Sequence, residues 1–177
     1  MAGTPAGPAR VRTAAPADLP LLAPIELAAG ERFRAIGMDA VADDDPAFPD
    51  DVLAAALDEQ RLWVADAAPT LVGYALALDL DGQPYLEQVS VLPEWSGRGV
   101  GRALIDEVAR WARERADSLV LSTFRDVAWN APLYAHLGFE TLAEAEVRRD
   151  PRLLSMREAE ARDGLDPTLR VFMRRAV

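Results

Sequence analysis

The chain has 177 residues, half of them apolar, which suits one domain with a sizeable core and is not the composition of a disordered chain. A net charge of −10 makes it a poor non-specific binder of nucleic acid, because neutralising phosphates takes clustered cations. Cysteine is absent, which excludes disulfides, thiolate metal sites and a covalent cysteine mechanism, and all 19 basic residues are arginine.

The apolar runs are far short of a membrane span, so no membrane partner is expected. The N-terminus "MAGTPAGPARVR" has no apolar stretch of the kind a secretory signal needs, and the chain is read as cytoplasmic. A single histidine without cysteine gives no metal-site spacing, so no metal is expected. Residues 1–177 are read as one domain, with the Gly/Pro/Ala-rich residues 1–9 flexible.

Along the chain, "VRTA" predicts a short strand. "PADLPLLAPIELAAGERFRAIG" predicts a helix capped near Asp18 and interrupted at Pro24. "MDAVADDDPAFPD" reads as loop and "DVLAAALDE" as a short helix. "RLWVADA", "TLVGYALALDL" and "YLEQVSVL" are apolar, partly β-branched stretches parted by the turn signals "AP" and "DGQP"; they predict three antiparallel strands. In "GRALIDEVARWARERA", Val100, Leu104, Val108 and Trp111 recur at helical spacing, with Asp106 and Arg110 an i,i+4 pair. "SLVLSTF" reads as an interior strand, and "NAPLYAHLG" as a short helix closed by Gly138. "FETLAEAEV" fits strand or helix and is read as strand, "PRLLSMREAEARDG" as helix and "TLRVFMRR" as the last strand. The strand–helix–strand around "GVGRAL" needs a crossover, so that pair is expected to be parallel in an α/β (α+β) mixed sheet with helices on both faces.

One stretch is costly for a helix start. "SGRGVGRAL" places Gly97, Gly99 and Gly101 directly before strong helix, although glycine costs about 1 kcal/mol against alanine inside a helix. A strand running into a glycine-rich turn and then a helix is an anion site: main-chain N–H groups at the helix start lack partners, and the dipole makes that end positive. Bare glycines let a pyrophosphate lie against the main chain, and Arg98 and Arg102 add charge. The other reading is a plain glycine turn without ligand. A P-loop fails for want of lysine, and the dinucleotide fingerprint fails because Leu104 stands where its third glycine belongs.

Arg98-x-x-Gly101-x-Ala103, following "VSVLPEW", closely resembles the acetyl-coenzyme A signature of the GNAT superfamily of N-acetyltransferases. "NAPLYAHLGF" resembles that family's Asn…Tyr-x-x-x-Gly-Phe element, and the order of strands and helices is similar over about residues 10–147. The resemblance implies one N-acetyltransferase domain with a mixed, mostly antiparallel sheet of about seven strands, splayed between strands 4 and 5. It also implies acetyl-CoA as cosubstrate and direct transfer of the acetyl group to an amine. The alternative on the same fold is a non-catalytic module that senses acyl-CoA or a metabolite.

By the same resemblance, Val89, Ser90 and Val91 offer main chain to the pantetheine arm, while the valine side chains can still pack in the core. The pyrophosphate lies over Gly97, Arg98, Gly99, Val100, Gly101 and Arg102. Tyr134 matches the tyrosine that protonates the departing thiolate, a role suited to a phenol of pKa near 10. Asn130 resembles the cofactor-binding asparagine. It stands four residues before the tyrosine, where many members have seven, and Val127 holds the usual place. Asn130 is equally suited to cap the helix. Glu87 occupies a position where several members keep a general base. A carboxylate sharing a face with Val89 and Val91 is costly unless used or paired, so Glu87 is a base (directly or through water), a substrate ligand or half of a structural pair. Ser122 and Thr123 are candidates to hold that water. His136 is read as surface or packing.

The acceptor is expected to be a small-molecule or peptide amine. Asp39, Asp43, Asp44, Asp45, Asp50 and Asp51 put six carboxylates in thirteen residues, which either steer a cation or form a solvated acidic loop. Phe33, Arg34 and Met38 are candidate pocket residues. The charged C-terminal segment is read as flanking the site or supporting a homodimer.

Overall fold

In a computed structural model describing residues 8–43 and 48–177, seven strands form one mixed sheet in the order β1-β2-β3-β4-β5-β7-β6. The strands are β1 (Arg10–Thr13), β2 (Leu62–Ala67), β3 (Thr70–Leu80), β4 (Gln83–Val91), β5 (Ser118–Phe124), β6 (Glu140–Thr141) and β7 (Arg170–Ala176). The helices are α1 (Leu22–Arg34), α2 (Asp39–Ala42), α3 (Asp50–Asp58), α4 (Val100–Arg113), α5 (Ala131–His136), α6 (Glu144–Val147) and α7 (Pro151–Arg162). The flexibility expected of residues 1–9 falls, for 1–7, outside the described residues.

β1 and β2 pair antiparallel, as do β2 and β3, β5 and β7, and β6 and β7. β3 turns into β4 through Asp81 and Gly82, both with positive φ (50° and 84°). That is the tight hairpin turn for which Asp-Gly is the favoured pair. β4 and β5 are the parallel pair, in register at Tyr85↔Val120 and Leu86↔Leu121. The parallel pairing expected between strands 4 and 5 is found there.

The chain divides into two compact units. One comprises the residues up to Ala77 with Gln88–Val108, the other Leu78–Glu87 with Ala109–Val177. In the first, Leu22 and Ile25 of α1 and Leu53 and Ala56 of α3 pack on Leu62, Val64, Leu71, Tyr74 and Leu76 of β2 and β3. The Tyr74 hydroxyl, wholly buried in that core, donates to the Glu26 carboxylate, so a polar tip is satisfied inside apolar packing. In the second, Tyr85, Val120, Leu142, Val147, Leu153 and Phe172 form the core. Each such side chain contributes roughly 1.5–3 kcal/mol on burial.

Four local expectations are corrected. Asp18 does not cap α1; it lies in a 3₁₀ turn, Pro16–Leu21, where its buried carboxylate accepts from Ala15 N–H (2.8 Å) and Arg12 (2.6 Å). Pro24 does not interrupt α1, because it sits in the first turn, where a missing N–H costs nothing. The acidic loop contains α2, with Asp39 in its first turn. The strand expected of "FETLAEAEV" shrinks to Glu140–Thr141. Glu146 Oε2 accepts from Ala143 N–H (3.1 Å) and starts α6, which buries Val147.

Candidate active site

The first unit holds the glycine turn. Gly97 and Gly99 have φ of 74° and 81°, and a Cβ at either would meet nothing within 4 Å. Backbone handedness demands these two glycines, since a left-handed residue with a Cβ costs about 1–2 kcal/mol. Gly101 differs: its φ is ordinary, and a Cβ there would touch only Val91 Cγ2 at 3.7 Å. Neither conformation nor packing requires a glycine at that position, which leaves a bare surface as the reason for it. Ala103 N–H closes onto Gly99 O at 3.0 Å, so the N–H groups of Val100, Gly101 and Arg102 precede the helical ladder. Arg98 is exposed, with its guanidinium 5.0 Å from the Trp95 ring centre. Arg102 Nε lies 3.8 Å from Asp106 Oδ2 on open surface, a weak tie that leaves it able to meet an anion.

Val89 and Val91 on β4 are half-buried, and Ser90 between them is buried. Gln88 Nε2 donates to Ser90 Oγ at 2.9 Å. Sequence reasoning missed Gly73 on β3. A Cβ there would come within 2.8 Å of Ser90 O and 3.2 Å of Val91 Cγ2, so this glycine admits the β4 main chain to close range. The available signal was a glycine inside a strand pattern.

The second unit holds the titratable groups. Glu87 is half-buried and has no protein hydrogen bond to its carboxylate among the described residues. Burial, with the charges of Glu160 and Asp163, pushes it up to about 7, against the opposing effect of Arg170. Ser122 Oγ donates to Glu160 Oε2 (3.0 Å) and accepts from Arg170 Nε (3.2 Å). Arg170 Nη2 donates to Glu160 Oε1 at 2.8 Å, closing a partly buried triangle. Thr123, beside it, is buried. Neither Glu160 nor Arg170 was singled out from sequence, although the C-terminal segment that carries them was expected to flank the site.

Tyr134 on α5 is buried, its ring edge-on to Phe139 at 5.6 Å between centres. Burial raises its hydroxyl above the ordinary phenol value, and Arg170 offsets part of the rise. Arg170 thus acts on both Glu87 and Tyr134. Gly138, with φ 87°, closes the helix as expected. Asn130 precedes α5, yet its side chain makes no cap. Nδ2 donates to Trp129 O at 3.3 Å, and Oδ1 is buried without a partner among the described residues. A buried, unpaired acceptor is expensive and fits a ligand donor. Val127, at the usual asparagine position, is buried. His136 is exposed, with Nδ1 2.6 Å from Pro132 O.

The acidic stretch has structural partners. Arg34 pairs with Asp39 (3.3 Å), Asp43 (2.6 Å) and Glu31 (3.3 Å), while Asp50 and Asp51 sit in the first turn of α3, where the helix dipole favours them. Asp44 and Asp45 lie outside the described residues. Among the described residues no His/Cys/Asp/Glu group is arranged to hold a metal, and no helix is long and apolar enough to cross a membrane.

Residues 28–139 match the acetyltransferase (GNAT) family model. The fold is similar to N-acetylglutamate synthase from Neisseria gonorrhoeae, solved with coenzyme A and N-acetyl-glutamate (TM-score 0.68, 16% identity, 95% of this chain and 35% of that one). It is similar to the PaiA N-acetyltransferase of Thermoplasma acidophilum, solved with coenzyme A (TM-score 0.63, 14% identity, 96% of this chain and 99% of that one). It is also similar to a ribosomal-protein-alanine N-acetyltransferase from Brucella melitensis (TM-score 0.64, 21% identity, 95% and 99%). The chain spans about a third of the synthase and nearly all of the other two. Fold and motif together define an N-acetyltransferase, and the chain belongs to the GNAT acetyltransferase family.

Proposed function

We propose that this chain moves an acetyl group from acetyl-CoA to the nitrogen of a small-molecule or peptide amine. Beyond family membership, the observation that carries the reading is Glu87: a carboxyl without a protein hydrogen-bond partner, poised near neutrality, as a general base should be.

When bound, acetyl-CoA supplies an activated thioester. The N–H groups of Gly97, Gly99, Val100, Gly101 and Arg102, with the Arg98 guanidinium, hold its pyrophosphate. The main chain of Val89, Ser90 and Val91 receives the pantetheine arm, and the Val91 N–H polarises the acyl carbonyl. Asn130 Oδ1 accepts one hydrogen bond from the cofactor. Glu87 takes the proton the amine must lose, directly or through a water. Tyr134 stays protonated across the working pH range because burial raises it, so its hydroxyl remains a donor to the sulfur.

The test is a thermal shift with coenzyme A and with NAD, followed by free-thiol release across a panel of amines. The expected result is a shift with coenzyme A alone and thiol release with at least one amine. No shift with coenzyme A overturns the cofactor assignment. A shift without turnover on any amine overturns the transferase reading in favour of an acyl-CoA sensor.

A further inference from the structure

Two of the three corners of the partly buried Ser122–Glu160–Arg170 triangle lie beyond the residue range that matches the family model. Glu160 comes from α7, Arg170 opens β7 and Ser122 belongs to β5. Arginine is the natural bidentate partner of a carboxylate. The carboxylates it acts on here are Glu160 and Glu87, and it pairs only with the first. Among the described residues the side-chain hydrogen bonds of Arg170 and Ser122 fall within the triangle: Nη2 to Glu160 Oε1, Nε to Ser122 Oγ, and Ser122 Oγ–H to Glu160 Oε2. The guanidinium also lies 4.8 Å from the Phe124 ring centre, which fixes its plane. With Nε and Nη2 engaged in the triangle, swinging the fork onto a second carboxylate would break both of those bonds.

We propose that Glu160 is a positioning residue for acetyl transfer: by engaging Arg170 and Ser122 from α7, it keeps Arg170 from pairing with Glu87 and so leaves the Glu87 carboxylate oxygens free to accept a proton. This rests on the proposed role of Glu87 as base. The groups facing Glu87 are Tyr85 from its own strand, Glu160 and Asp163 from α7 and its C-terminal end, and Arg170 from β7. Removing the Glu160 charge acts twice in one direction. It deletes a repulsion that disfavours ionised Glu87, and it releases Arg170, whose charge favours it.

The experiment is the pH profile of kcat/KM for wild type, Glu160→Gln and the double variant Glu160→Gln/Arg170→Gln, with coenzyme A binding measured alongside. In Glu160→Gln the acidic limb is expected to move down by about one pH unit or more. The plateau is expected to fall about tenfold as the base is tied up and weakened, with coenzyme A affinity unchanged. The double variant, lacking the freed arginine, is expected to return the limb toward its wild-type position. A merely structural Glu160 would lower the active fraction or Tm without moving the limb, and that result overturns the proposal. So does a limb that stays low in the double variant. If Glu160→Gln does not fold, Ser122→Ala breaks one corner alone: a smaller downward shift supports the proposal, and an unmoved limb overturns it. Glu87→Gln separates the two readings. If that variant keeps the full limb, the base assignment itself fails; if it loses the limb while Glu160→Gln leaves it in place, only the positioning role fails.

Discussion

The glycine turn and the Glu87 neighbourhood are built by opposite means. The turn is made of consecutive residues, the polar groups it offers are main-chain N–H, and its surroundings are open: nothing within 4 Å would touch a Cβ at Gly97 or Gly99. Glu87 is surrounded by side chains from β4, α7 and β7, drawn together by burial and by charge. A site built from backbone is written locally and depends little on which side chains surround it. A site built from buried ionisable groups is written across the fold, and each member sets the protonation of the others.

The comparison predicts that changes on the side-chain region strike turnover and changes on the turn strike binding. The largest effect falls on Tyr134→Phe, which removes a hydroxyl and leaves the ring packed on Phe139. Its kcat is expected to drop by about 10²- to 10³-fold while coenzyme A affinity stays within about threefold of wild type. Steady-state kinetics with calorimetry checks this, and an unchanged kcat removes Tyr134 from the mechanism.

Gly101→Val comes next. The position has ordinary φ and room for a Cβ, so the melting temperature is expected to hold. The branched side chain covers the helix-start N–H groups, so coenzyme A affinity is expected to fall about 10- to 100-fold, the worth of one or two charge-assisted hydrogen bonds. Wild-type affinity in this variant contradicts the turn assignment.

How much could be read from the sequence follows the same division. Gly97 and Gly99 were legible as a turn from their spacing, and both take the left-handed backbone. The Asp81–Gly82 turn, Gly138 and the apolar repeat of α4 were legible for the same reason: a turn type or a helix period is a property of neighbours. Pro24 misled because proline breaks a helix interior yet suits a first turn, and Asp18 because its carboxylate is engaged by Arg12, a residue outside the helix. The "FETLAEAEV" segment, which fits either state, misled because Glu146 reaches back to Ala143 N–H and starts a helix there. Ser122 was noticed as a hydroxyl near the chemistry, but its partners Glu160 and Arg170 are 38 and 48 residues away in sequence. No local pattern marks such a pairing. Gly73 stood in plain view inside a strand, and only the proximity of Ser90 O explains it.

The smallest shift to resolve, and the most direct test, is the pH dependence of thiol release by wild type and Glu87→Gln. A base must be ionised, so a carboxyl held at about 7 makes the rate rise with pH through about 7 and level off above it. The folded state binds that proton more tightly than the unfolded chain, so the ionised group costs stability as pH rises from the ordinary carboxylate value through about 7. Glu87→Gln should therefore lose the rising limb and melt at a higher temperature at pH 8, which distinguishes a missing base from an unfolded protein. A flat wild-type profile between pH 5 and 9, or a glutamine variant that keeps the full limb, would contradict the account.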